Sequence, residues 1–186
     1  MPGLVCGIDE AGRGSVIGPM AVAGVLVREE TVPRLRELGV RDSKQLTPEE
    51  RERLYEEVIK LAEAWRIVLV SAREVDSETR RRGRSGINFL EARVFAEIID
   101  YLKPETAYID LPSRDAEDFA ENLRGLLTHR CRLVLEHRAD ERYPVVAAAS
   151  ILAKVTRDKE VEKLRKRLGD FGSGYPHDPK TLEFIR

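Results

Sequence analysis

The run Leu4-Val5-Cys6-Gly7-Ile8 carries no charged side chain and stops at two adjacent carboxylates, Asp9 and Glu10. A short apolar stretch that does not alternate with polar residues reads as a buried strand, and it needs helices to cover it. Gly12-Arg13-Gly14 then forces a turn. Met20–Val27, rich in valine and small residues, reads as a second strand, joined to the first by a hairpin connection through residues 11–18.

Beyond the hairpin the period changes. Thr47-Pro48-Glu49-Glu50 is a helix start: Thr47 can cap, Pro48 suits the first helical position and Glu50 completes a capping box. Leu54, Val58, Leu61 and Ala62 continue at helical spacing. Trp65–Val70 predicts a third strand, with Trp65 in the core. Ile87–Leu102 predicts a helix with Leu90, Val94, Ile98 and Leu102 on one face, stopped by Pro104. A strand over Thr106–Asp110, a helix over Ala116–Leu127 and a strand over Cys131–Glu136 follow. A long helix spans Val145–Leu168 and ends at Gly169. Ile151, Leu152 and Val155 belong to the core by their period. The tail from Asp170 is turn-rich, with a last helix after Pro179. Two strands open the chain, helices precede the third, two helices precede the fourth, and single helices follow the fourth and fifth. That order predicts an α/β fold, a mixed sheet of five strands flanked by helices. With no repeat or linker, residues 1–186 read as one domain with a short C-terminal segment from about 170.

Charge narrows the function without deciding it. Charged residues make up 35% of the 186 positions, yet the net charge is only -1, so any basic surface is local. Arginine outnumbers lysine by 24 to 8, and Gln45, Asn88 and Asn122 are the only amides, a balance that suggests a heat-adapted source. Cys6 and Cys131 match no metal-ligand spacing and read as free thiols of a cytoplasmic protein. No apolar run approaches about 18 residues, and the first residues resemble no secretory signal, so a membrane is not expected.

The acids carry the chemistry. Asp9-Glu10, Asp110 and Asp140 each lie at or beyond the end of an apolar strand. Carboxylates there are costly unless paired or coordinating. Clustered, they repel, and a hard divalent cation such as Mg2+ or Mn2+ removes that cost. Two such ions suit in-line attack on a phosphodiester. Successive strand residues face opposite ways, so Asp9 and Glu10 share a site only if the strand ends or bulges there. An aspartate at a strand end is also a common turn or cap residue, and spacing alone leaves the two readings level. His129, His137 and His177 show no ligand pattern, and the last two read as surface residues. Asp158 is expected to pair with a basic neighbour on its own helix. Arg80-Arg81-Arg82-Gly83-Arg84 reads equally as a phosphate contact or a solvated helix end. Gly7-x4-Gly12-Arg13 lacks the Lys-Ser/Thr ending of a phosphate-binding loop, and Asp9-Glu10 would repel phosphate.

The order of motifs tips this balance. Gly7-Ile-Asp-Glu-Ala-Gly-Arg-Gly14 with Gly18-Pro19 resembles the opening motif of the ribonuclease HII family. Arg41-Asp-Ser-Lys-Gln-Leu46, Tyr108-Ile-Asp110, Ala139-Asp140 with Tyr143–Asp158, and Gly172-Ser-Gly-Tyr-Pro176 resemble its later motifs, the last in archaeal form. The resemblance implies an RNase H-like fold and two-metal cleavage 5′ of a ribonucleotide, leaving 3′-hydroxyl and 5′-phosphate ends. It implies Asp9, Glu10, Asp110 and Asp140 as catalytic metal ligands for two ions, Mg2+ or Mn2+, with Asp9 shared. Gly12, Arg13 and Gly14 resemble the segment that reads the ribose 2′-hydroxyl. Tyr175 resembles the tyrosine that stacks on the sugar, and Lys44 and Ser150 resemble backbone-phosphate contacts. The implied partners are RNA–DNA hybrid and ribonucleotide-containing duplex DNA, with a sliding clamp as a further candidate and a monomer as the expected state. The family continues with another helical segment, whereas this sequence ends at Arg186, so a weaker grip on the hybrid is expected. Another RNase H-fold DNA nuclease, or a duplex-binding module without turnover, are the alternatives.

Overall fold

A computed structural model describes residues 3–40, 46–80 and 86–186. Lys44 and most of the arginine run at 80–84 therefore lie outside the described residues. Strand β1 (Leu4–Ala11) pairs antiparallel with β2 (Met20–Arg28), which pairs antiparallel with β3 (Ala64–Val70). On its other side β1 pairs parallel with β4 (Thr106–Asp110), and β4 with β5 (Arg132–Glu136). The sheet order is β3-β2-β1-β4-β5, so the first strand is the central one. The expected mixed five-stranded sheet is the one found.

Helices cover both faces. A single 3-10 turn (Glu29–Thr31) leads into α1 (Val32–Glu37), and α2 (Pro48–Leu61) follows. The hydroxyl of Thr47 accepts from the Glu50 N–H while the Glu50 carboxylate accepts from the Thr47 N–H, so the capping box forms as read. Ser71 and Glu74 build a second box that starts α3 (Ala72–Thr79). Then come α4 (Ile87–Leu102), α5 (Ala116–Leu126), the one-turn α6 (Ala139–Arg142), α7 (Pro144–Leu168) and α8 (Pro179–Phe184). Helix α6 was not anticipated, because four residues show no period.

Strand alternation divides the core in two. Cys6 and Ile8 of β1 and Val22 and Leu26 of β2 pack with Phe95, Ile98, Ile99 and Phe119 of α4 and α5. Val5, Ala23, Val25 and Val27 face the other way, onto Leu54 and Val58 of α2 and Val145–Val155 of α7. The first ten residues of α7 are buried all round, and its second half is polar, as suits a helix that starts inside the fold and runs out to solvent. Ile151, Leu152 and Val155 lie in this core as read. Trp65 does not. It stands 41% exposed on β3, an edge strand with no neighbour on one side, so its hydropathy was a poor guide to its place. Both cysteines are free thiols, with Cys6 buried. Among the described residues no helix is long and apolar enough to cross a membrane.

The closest packing is between backbones. A Cβ at Gly7 would stand 2.2 Å from both the carbonyl carbon and the oxygen of Val145, so α7 sits on β1 only because residue 7 has no side chain. Gly7→Ala is expected to destabilise the fold by about 3 kcal/mol, read from the urea unfolding midpoint. Gly125→Ala, in α5 with nothing within 4 Å of the added carbon, should be neutral or stabilising. Equal midpoints for the two variants would show that the α7–β1 approach is not constrained.

Candidate active site

The register assigns a face to each acid. Asp9 pairs with Ala23, which lies in the α7-side core, and Glu10 pairs with Val22, which lies in the α4-side core. Ile8 pairs with Ile109 across the parallel ladder, so Asp110, one residue on, shares the face of Asp9. Asp140 reaches the same place from α6. One carboxylate oxygen from each of Asp9, Asp110 and Asp140 lies within 4.8 Å of the others. The N–H of Ala139 donates to Asp110 Oδ1 at 3.1 Å, tying the turn that carries Asp140 to the strand that carries Asp110.

Glu10 corrects the expectation of a strand end or bulge. Strand β1 runs unbroken to Ala11, each residue paired with β2, and Glu10 therefore projects from the opposite face to Asp9. It stays within electrostatic reach of Asp9 and Asp110 because it lies near the end of the strand, but it also borders Glu91 and Arg13. Its Oε2 is buried and has no hydrogen-bond partner. Asp140 lies beyond the end of β5 and before the long helix, as read, and the structure adds that a one-turn helix carries it.

The electrostatics follow from burial and crowding. Burial raises the Asp9 pKa first, and Asp110 and Asp140 raise it further. The Ser150 side chain and the Glu10 N–H, which donates to Asp9 Oδ1 at 2.8 Å, oppose them, and the net is a rise from 3.8 to about 7. Glu10 is also pushed well above the usual carboxylate range, by burial and then by Asp9, with Arg13 opposing. A nearby positive charge would relieve two adjacent carboxylates that resist losing their protons. Ser150 is only 1% exposed and lies beside Asp9, whose proton affinity it lowers, while its hydroxyl has no hydrogen-bond partner among the described residues.

A groove opens beside the acids. Glu10, Gly12, Arg13, Arg51, Lys154, Arg157 and Tyr175 line it. Gly12 (φ 91°) and Gly14 (φ 76°) both take the left-handed backbone, and the Ser15 N–H and hydroxyl donate to the Gly12 carbonyl at 3.1 and 2.8 Å to close the turn. The N–H groups of Val16 and Ile17 donate to the Gly174 carbonyl at 2.8 and 3.1 Å. Thus the glycine turn and the segment bearing Tyr175 form one wall. The Arg157 guanidinium lies 4.7 Å from the Tyr175 ring centroid, and the His177 ring stacks 5.6 Å away.

Lys154, Arg157 and Arg51 were not singled out from the sequence. A signal existed: Ser150, Lys154 and Arg157 recur at i, i+4 and i+7 along α7, which puts them on one stripe. Glu91 was missed as well, although it interrupts the apolar face of α4. Asp158 pairs with Arg51 of α2 at 3.8 Å and not with a neighbour on its own helix. His137 and His177 are exposed, as read.

Similarity to known proteins bears on this arrangement. The family model for ribonuclease HII matches residues 6–186. Ribonuclease HII of Pyrococcus furiosus is 50% identical over 182 residues, covering 96% of this chain and 79% of that protein. Ribonuclease HII of Pyrococcus abyssi is 48% identical over 184 residues, 97% of this chain and 80% of the relative. The crystal structure of ribonuclease H2 from Pyrococcus horikoshii OT3 superposes with a TM-score of 0.89 at 42% identity, covering 98% of this chain and 85% of that one. A PCNA:RNase HII complex from Archaeoglobus fulgidus gives 0.87 at 46% identity, with 98% and 86% covered. The chain therefore belongs to the ribonuclease HII family, the endoribonucleases that act on RNA–DNA hybrids.

Proposed function

We propose that the protein cuts the RNA strand of RNA–DNA hybrids, and also cuts 5′ of ribonucleotides embedded in duplex DNA, with two divalent cations, leaving 3′-hydroxyl and 5′-phosphate ends. The observation that carries this reading is the meeting of Asp9, Asp110 and Asp140 within 4.8 Å, next to Glu10, which lines a groove together with arginine, lysine and tyrosine. The donor set fits a hard cation: all are carboxylate oxygens, crowding and burial raise the proton affinity of Asp9 and Glu10, and Glu10 Oε2 is unpartnered nearby. Asp9, Asp110 and Asp140 would hold Mg2+ or Mn2+, with Glu10 completing the set from across the sheet edge. When bound, such ions supply an activated water and stabilise the leaving oxygen.

The chain's own residues do the rest. Lys154, Arg51 and Arg157 supply positive charge along the groove, which positions a duplex by its phosphates without reading bases. In the Gly12-Arg13-Gly14 turn the exposed backbone at Gly14 can approach a ribose closely, and the 2′-hydroxyl is what separates RNA from DNA. Tyr175, its ring steadied by Arg157, offers a flat face for a neighbouring sugar. We carry over the sliding clamp as a partner from the Archaeoglobus fulgidus relative solved with PCNA, and a cytoplasmic location from the free thiols.

Three outcomes are expected. In the first, a labelled DNA duplex with one ribonucleotide is cut 5′ of it with Mg2+ or Mn2+ but not with chelator, and all-DNA duplex is left intact. Asp9→Asn and Asp110→Asn lose that cleavage by at least about 10³-fold while duplex binding changes little; full activity in either variant would remove the metal assignment. In the second, Tyr175→Ala slows cutting at a single ribonucleotide more than it weakens duplex binding, and an equal loss of both would end its role at the junction. The third concerns pH. Folded Asp9 keeps its proton up to about pH 7, whereas the unfolded chain gives it up near 3.8. Between those values the native state binds more protons, so the metal-free protein loses stability as pH rises. Urea midpoints in chelator should fall across that window, Mn2+ should reverse the fall, and Asp9→Asn should flatten it. A midpoint profile identical in wild type and Asp9→Asn would contradict the shift.

A further inference from the structure

Arg13 stands in the glycine turn, yet its side chain is directed inward. Its Nε donates to Glu91 Oε1 at 2.7 Å and its Nη2 donates to Asn88 Oδ1 at 2.7 Å. Glu91 is wholly buried, on a helix face otherwise made of Leu90, Val94, Phe95 and Ile98. Asn88 in turn donates from Nδ2 to Ser113 Oγ at 3.0 Å, and the Asp115 N–H donates to the same oxygen at 3.1 Å. The first turns of α4 thus connect the loop after β1 to the loop after β4, the two strands that deliver Asp9 and Asp110.

A buried carboxylate is an expensive way to fill a helix face. Removing it from water costs several kcal/mol before any pairing, and an apolar residue would pack there at no such cost. What the pair provides is geometry. A guanidinium keeps its charge at every working pH and presents its donors in a fixed fork. Held by two acceptors on one helix, the Arg13 side chain borders the groove in a fixed direction, 34% exposed, and its backbone is fixed with it. Gly12 is confined from the other side, because a Cβ there would meet Arg157 Nε at 2.5 Å and the Pro19 carbonyl at 2.7 Å. At Gly14 the backbone stands open, with nothing within 4 Å of an added carbon. The turn is clamped at its base and bare at its tip.

We propose that Glu91, with Asn88, is a positioning residue for ribose recognition: by gripping Arg13 it holds the Gly12–Gly14 backbone in the one arrangement that can meet a 2′-hydroxyl. Arg13 then acts as the anchor of the reader and not as a phosphate or base contact. This rests on the ribose-reading role proposed above, and the test separates the two. Single-turnover cleavage is measured on two duplexes that differ only at the cut site, one with a ribonucleotide and one with its 2′-fluoro analogue, which cannot donate a hydrogen bond. For a site built around that hydroxyl the wild-type ratio is expected on the order of 10⁴. Glu91→Ala should shrink the ratio at least tenfold, chiefly by slowing the ribonucleotide duplex. Glu91→Gln, whose amide oxygen can still accept from Arg13, should restore most of it. Asn88→Ala, which leaves the buried carboxylate in place, should give an intermediate ratio and serves if Glu91→Ala does not fold. A wild-type enzyme indifferent to the substitution would overturn the ribose reading and this inference with it. A discriminating wild type whose ratio persists in Glu91→Ala and Asn88→Ala, with both rates falling together, would overturn this inference alone.

Discussion

The contact between the Gly7 backbone and the start of α7 governs the rest. Helix α7 lands on the central strand at van der Waals range because residue 7 has no side chain and residues 147–149 are alanine. That seat fixes the helix along its whole length. Ser150, little more than one turn on from Val145, arrives beside Asp9. Lys154 and Arg157, one and two turns further, pass the end of the strand and line the groove. Arg157 then reaches both Gly12 and the Tyr175 ring. A methyl group at position 7 would lift the helix and displace the carboxylate's support, the basic wall and the tyrosine together.

The acids oppose this packing. Burial makes an isolated carboxylate costly, and gathering three makes each worse. The fold accepts the cost at one edge of its sheet, where β1 and β4 end together and α6 turns back over them. Glu136 shows the alternative fate of an acid on that face: one strand further out, it accepts from Arg142 at 2.7 Å and from the Tyr143 hydroxyl at 2.7 Å, and so is neutralised locally. Among the described residues no salt bridge holds Asp9, which accepts one N–H, from Glu10. The contrast separates an acid that stabilises the fold from one kept at high free energy for chemistry.

Much of this was legible from residues alone. The five strands, the capped start of α2, α4 and α7 follow from period and capping, because those signals are local. Asp9, Glu10, Asp110 and Asp140 stood out because each lies at or beyond the end of an apolar stretch, but that spacing left a turn or cap reading level and only the order of motifs favoured a metal site. What escaped depends on neighbours in space. Strand order made β3 an edge and left Trp65 half in water. An uninterrupted β1–β2 ladder turned Glu10 away from Asp9, where the glycines after it had suggested a break. Helix α6 is one turn long and has no period to detect. Glu91 was visible as a charge on an apolar stripe, but only the fold reveals that its partner lies 78 positions earlier in the chain.

The inward course of Arg13 bears on what kind of recognition the groove can perform. An arginine free to move would find phosphate oxygens on any duplex, RNA or DNA, and would add affinity without discrimination. Fastened to Glu91 and Asn88, it leaves peptide groups at the tip of the turn as the nearest donors and acceptors. Those groups are short, fixed and indifferent to base identity, and they can approach a sugar only where the neighbouring residues lack side chains. The other cations described along the groove, Arg51, Lys154 and Arg157, sit on α2 and α7, where they can hold a backbone. Separating grip from reading in this way would let cleavage depend on one hydroxyl while binding tolerates any sequence.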